Sequence, residues 1–140
     1  MKIVVDTNVF VGACMGLGAA NEVVRLCIEG QFTPLMSNAL YAEYEDVLSR
    51  AQLFATCRLS ASERGELFDI FASRCEWTRV YFQWRPNLRD EAGNHLIELG
   101  VAGCASHVVT RNIRHVGTGD LVFPLLSIVT PEQFLKEIQP

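Results

Sequence analysis

Apolar and polar positions along the chain switch repeatedly between a period of two and a period near 3.6. Residues 2–5 are a short β-branched run that stops at Asp6-Thr7-Asn8, side chains suited to capping a helix. Residues 20–29 place Val23, Val24, Cys27 and Ile28 at helical spacing, and Gly30 supplies the stop. Residues 32–36 predict a short strand in spite of Pro34. Ser37-Asn38 then opens a helix over 39–50 with Leu40, Val47 and Leu48 on one side. Ser60-Ala-Ser-Glu63 has the spacing of a capping box and predicts a helix to Ser73, with Leu67, Phe68 and Phe71 inward. Residues 77–82 predict a strand, 85–93 a polar loop and 94–101 a helix carrying Leu96, Ile97 and Leu99. Strands follow at 107–110 and 125–129. Thr130-Pro131-Glu132-Gln133 is a second capping box, with proline at the first helical position, and opens a terminal helix.

Strands alternating with helices predict a three-layer α/β/α domain around a parallel sheet. The 140 residues fit one domain over 1–140, without internal repeat or linker. In such sheets ligands bind beyond the carboxyl ends of the strands, where strand order reverses. Each polar cluster that follows a strand is therefore a candidate site.

Composition narrows the field. With 49% hydrophobic and 20% charged residues, the chain can bury a core without disulfide or metal. Five cysteines, odd in number and without a CxxC pair, read as small buried hydrophobes in a reducing compartment. No apolar run reaches the length of a membrane span and no leader is evident, so a cytoplasmic protein is expected. The net charge of -4 argues against a general nucleic-acid binder. All the basic residues except Lys2 and Lys136 are arginines, however, and Arg85, Arg89, Arg111 and Arg114 flank the polar clusters. They form either a solvated surface or a rim for phosphates, which guanidinium groups bind in bidentate fashion.

Four clusters carry candidate chemistry. Asp6, Thr7 and Asn8 close the first strand. Glu43 lies three residues from Leu40 and four from Val47, on their helix face, where a carboxylate needs a cation or strong donors. Glu45 and Asp46 fall off that face and are expected in solvent. Asp90-Glu-Ala-Gly-Asn-His95 precedes a helix, where Asp90 could also be a simple cap. His95 reads as a neighbour of such a site rather than a ligand, because oxygen-rich magnesium sites seldom recruit histidine. Thr110-Arg111-Asn112 ends the fourth strand. A haloacid-dehalogenase phosphatase needs an aspartate where Asn8 stands, and a receiver domain needs a lysine that is missing. No Ser-His-Asp order, P-loop or dinucleotide motif occurs.

Taken in order, these segments resemble the PIN-domain family. Val4-Val-Asp-Thr-Asn-Val9 is similar to its opening, and 37–50 with Glu43 to its S-x-x-x-x-x-E helix. Residues 90–103 followed by Val109-Thr-Arg-Asn112 resemble its third and fourth acidic motifs, and 129–135 the end of its toxin-component branch. The resemblance spans nearly the whole chain. It implies a VapC-like ribonuclease of type II toxin–antitoxin pairs, in which acidic residues hold one or two Mg²⁺ or Mn²⁺ ions that activate water against an RNA phosphodiester. Asp6, Glu43 and Asp90 match the acidic, metal-holding positions. Asn8, Ser37, Asn94 and Asn112 would support them, and Arg89 and Arg111 would contact RNA. A cognate antitoxin and a homodimer are likewise implied.

The chain departs from the pattern at two acids. The inner acid of the third motif is Gly93 and the fourth acid is Asn112. At most three matched carboxylates remain, enough for one hydrated magnesium ion but little support for two. This leaves a second expectation: a PIN fold that no longer cleaves and serves as an RNA- or antitoxin-binding module. For the dimer, Leu53, Phe54 and Cys57, together with the helix carrying Leu67, Phe68 and Phe71, offer a candidate apolar patch.

Overall fold

The computed structural model describes residues 1–16, 18–80, 91–113 and 125–139, with the backbone alone at 91–94. The strands are β1 (Lys2–Val5), β2 (Thr33–Met36), β3 (Glu76–Trp77), β4 (His107–Val109) and β5 (Ser127–Val129). The helices are α1 (Thr7–Cys14), α2 (Gly18–Ile28), α3 (Asn38–Leu48), α4 (Ala61–Ser73), α5 (Glu91–Ala102) and α6 (Pro131–Ile138), with a 3₁₀ turn at Ala51–Phe54. All pairings are parallel, in the order β3-β2-β1-β4-β5.

Consecutive residues of a strand point to opposite faces, and β4 demonstrates both layers. His107 meets Phe134 of α6 edge-on at 5.1 Å. Val108 turns the other way, toward Gly100 of α5. The expected three-layer α/β/α architecture is thus what the chain adopts. Its centre is fully buried: Ile3, Val4, Val9, Leu40, Leu99, Val108 and Val109 are all at 0% exposure. No single helix among the described residues is long and apolar enough to cross a membrane.

The local capping signals form as expected. Ser60 and Glu63 close one capping box, and Thr130 and Gln133 the other. Three expectations need correction. The strand expected over 77–82 is the two-residue β3, with 81–82 outside the described residues. The helix expected from 94 starts at Glu91, so the end of the expected loop, 91–93, is helical. Gly93 costs that helix about 1 kcal/mol of propensity, which the packing of the following turns against the sheet offsets.

The third correction concerns the apolar patch. Phe54 is 4% exposed, Phe68 5% and Phe71 0%, so these rings belong to the chain's own core. The Arg64 guanidinium also lies over the Phe54 ring, 4.2 Å from its centroid. Leu53 is the apolar member left well exposed there. Of the cysteines, Cys14 and Cys27 are buried as expected, and burial pushes their thiols up to about 11 and about 12. Cys104, by contrast, is exposed.

One proline and one glycine have defined places in this architecture. Pro34 sits within β2, between β1 and β3. Thr33 donates its N–H toward β1, to the Met1 carbonyl at 3.0 Å, so Pro34, one residue on, presents its donorless nitrogen to the β3 side. The glycine is Gly103, after α5. A Cβ there would lie 2.3 Å from Leu35 Cδ1 and 3.3 Å from the Leu99 carbonyl oxygen. Leu35 is 1% exposed and has little room to retreat. Gly103→Ala is expected to destabilise the fold by about 1–3 kcal/mol through overpacking. A urea titration checks this, and an unchanged midpoint would refute the close approach.

Candidate metal centre

The strand order reverses between β1 and β4, and the strongest candidate residues collect at the carboxyl ends of those two strands. Asp6 ends β1, and its backbone N–H donates to the Val109 carbonyl at 3.0 Å. Its Oδ1 caps α1 by accepting from the Thr7 N–H at 2.7 Å. Its Oδ2 accepts from the Thr110 hydroxyl at 2.7 Å and from Asn8 Nδ2 at 3.3 Å. Capping and chemistry therefore share one carboxylate, which is 7% exposed.

Glu43 reaches the same place from α3. Ser37 caps that helix by accepting from the Leu40 N–H at 3.1 Å. Tyr44, next to Glu43, anchors it by donating its buried hydroxyl to the Val5 carbonyl at 2.7 Å. The Thr7 hydroxyl joins the two acids: it is 3.1 Å from Glu43 Oε1 and 3.5 Å from Asp6 Oδ1. On its other side, Glu43 Oε2 lies 2.6 Å from His95 Nε2 of α5. An ionised carboxylate can only accept, so Nε2 carries the proton of that bond. Glu45 and Asp46 are exposed, as expected.

Electrostatics separates the two acids. Desolvation raises Asp6, reinforced by the charge of Glu43 and only partly offset by the Thr110 and Thr7 hydrogen bonds. Burial also pushes Glu43 upward, but the hydrogen bond and charge of His95 and the hydrogen bond of Thr7 outweigh it. Glu43 ends below the usual carboxylate range.

The remaining candidates divide. Asn8 Oδ1 accepts from the Arg111 N–H at 3.1 Å, and the Asn112 N–H donates to Thr110 Oγ1 at 3.0 Å, so both asparagines order the strand ends. Arg111 flanks the site and pairs with Glu132 at 2.6 Å. Asp90 and Arg89 lie outside the described residues, as does the side chain of Asn94. Sequence reasoning missed the contact between His95 and Glu43 and the hydroxyl bridges of Thr7 and Thr110. The one available signal was a hydroxyl residue at each strand end.

Two negative groups face one another here with a single hydroxyl between them. That is the environment a hard dication relieves, and carboxylate oxygen is the donor it prefers. No three His, Cys, Asp or Glu side chains among the described residues form a metal-holding group. Two carboxylates are what the described residues bring to this place, so an ion held by them would need further ligands or water.

The family profile described as "PIN domain" matches residues 2–114. The chain belongs to the PIN-domain family. Among solved structures, its fold is similar to a chain of the crystal structure of VapBC2 from Rickettsia felis bound to a DNA fragment from their promoter. The TM-score is 0.61 at 18% identity, covering 91% of this chain and 97% of that one. Comparison with curated proteins gives no match. Within this PIN domain, Asp6 and Glu43 approach each other across the Thr7 hydroxyl.

Proposed function

We propose that this PIN domain is a Mg²⁺- or Mn²⁺-dependent endoribonuclease of the toxin kind, which uses water to cut an RNA phosphodiester. The observation that carries the proposal is the convergence of Asp6 and Glu43 on the Thr7 hydroxyl at the switch point of the sheet. Asp6 and Glu43 would hold the ion together with Asp90. Asn8 and Ser37 order the adjoining backbone, and Asn94 and Asn112 would assist. The chemistry such an ion supplies is Lewis acidity and an acidified water. Arg111 and Arg89 would take RNA phosphates. For Arg111 the exchange costs little, because its pairing with Glu132 is solvent-exposed on both sides. A cognate antitoxin, a homodimer and a cytoplasmic location complete the proposal. The likeness to a VapBC2 chain supports the antitoxin, and the resemblance to the toxin branch implies the dimer.

Incubating the purified chain with labelled RNA and Mn²⁺ tests the proposal. Cleavage that stops on adding a chelator is the expected result. If the chain does not cleave but Gly93→Asp switches cleavage on, the binding-module alternative takes its place. If neither protein cleaves any RNA offered, nuclease function is lost as an explanation of the acidic pair.

A further inference from the structure

We infer that His95 is a positioning residue for Glu43: its Nε2–H holds the Glu43 carboxylate in place to share the ion-binding position with Asp6. This deepens the proposed function and rests on it.

Glu43 is otherwise poorly fixed. Its side chain keeps 29% of its surface exposed, and a glutamate has three rotatable bonds through which to leave for water. The charge of Asp6 favours that departure, since the two acids repel. Two donors oppose it from separate elements. The Thr7 hydroxyl of α1 takes Oε1 at 3.1 Å, and the shorter bond, 2.6 Å, comes from His95 of α5 to Oε2.

The other ring nitrogen agrees. His95 Nδ1 is buried and has no hydrogen-bond partner among the described residues. Among them, the ring's bond is therefore the one that Nε2 makes with Glu43. The contact with Glu43 needs a proton on Nε2. In that state the ring offers Glu43 a donor. Its contact in this group is with the carboxylate, and it serves the site through that bond. Outer groups of this type commonly govern affinity about 10–100-fold.

The geometry also links two motifs. His95 lies two residues beyond Gly93, in the helix that opens with the departed acidic motif. With glycine at 93, that helix still acts on the metal centre through the imidazole of His95.

The test uses the full chain with His95→Ala and His95→Gln, whose amide nitrogen can replace the Nε2–H. Mn²⁺ affinity is read by titration calorimetry, and melting temperature is followed in parallel. His95→Ala is expected to bind Mn²⁺ about tenfold or more weakly, and His95→Gln within about threefold of the original chain, since it restores the donor. Equal affinity in His95→Ala overturns the inference, and so does a His95→Gln variant as weak as His95→Ala, which would make the ring a ligand or a packing group. Long-range ¹⁵N–¹H spectra of the three histidines test the contact without metal. The Nε2–H tautomer should dominate at His95 and be lost in Glu43→Ala. An Nδ1–H tautomer, or one indifferent to Glu43, overturns the inference even if Mn²⁺ never binds. Failure of the original chain to bind Mn²⁺, with the tautomer as expected, sinks the metal-dependent reading and leaves the contact supported.

Discussion

Asp6→Asn is expected to remove RNA cleavage by at least about a hundredfold while leaving the fold as stable as before, or more so. The loss follows from the place of Asp6: it is the most buried acid of the pair, and asparagine cannot supply the charge that a dication needs. The gain in stability follows from its electrostatics. Desolvation, with Glu43 adding to it, raises Asp6 above its unfolded value. The folded state therefore binds the proton more tightly, and stability falls as pH rises from the unfolded value through the folded one. Above that window the carboxylate is a net cost. Asparagine carries no such charge, and its carbonyl oxygen can still accept from Thr7 or Thr110. Cleavage assays and thermal melting at neutral pH check both halves. Equal cleavage by the two proteins would assign the activity to a contaminant, and a large fall in melting temperature would show Asp6 to be structural.

The largest effect on stability is expected from Phe10→Ala. Phe10, at 0% exposure, is where α1, α3 and α4 meet. Its ring is 5.7 Å from Tyr44 and from Phe68, both edge-on, and 5.5 Å from Phe71. Truncation leaves a cavity bounded by three rings that cannot easily collapse, and it forfeits their edge-to-face contacts. A loss of about 3–5 kcal/mol is expected, a large part of the roughly 5–15 kcal/mol that holds a domain of this kind together. The urea midpoint should fall accordingly. A loss below about 1 kcal/mol would mean the cluster repacks, contrary to a densely packed interior. Because Phe10 lies one helical turn beyond Asp6, cleavage should also become more sensitive to temperature.

The features legible in the sequence are local. Both capping boxes and the cap at Asp6 are decided within four residues, and the helix faces of Leu40 and Phe68 repeat within one element. The features that are not legible depend on strand order. Nothing in the sequence says that β4 lies beside β1, yet that adjacency alone brings Thr110 to Asp6 across 104 positions. The contact of His95 with Glu43 likewise needs α5 packed beside α3. Phe54 departs from expectation for a related reason: a short apolar segment looks surplus until the guanidinium of Arg64 is seen to cover it. Gly93 departs in the other direction, since glycine normally marks a loop and here stands within a helix.

Pro34 lies in the strand next to the sheet's shortest one. Its nitrogen faces the β3 side without a proton, and the paired residues there are Leu35 opposite Glu76 and Met36 opposite Trp77. The Thr78 N–H continues that ladder on the Met36 carbonyl at 2.8 Å. Strand β3, which follows directly on the last turn of α4, is only two residues long, one of them an acid that the Lys2 ammonium holds at 2.9 Å. A row this short gives a neighbouring molecule almost nothing to zip onto, and its charged pair must lose water before any stranger can settle there. A rim this short and this charged works against runaway self-association.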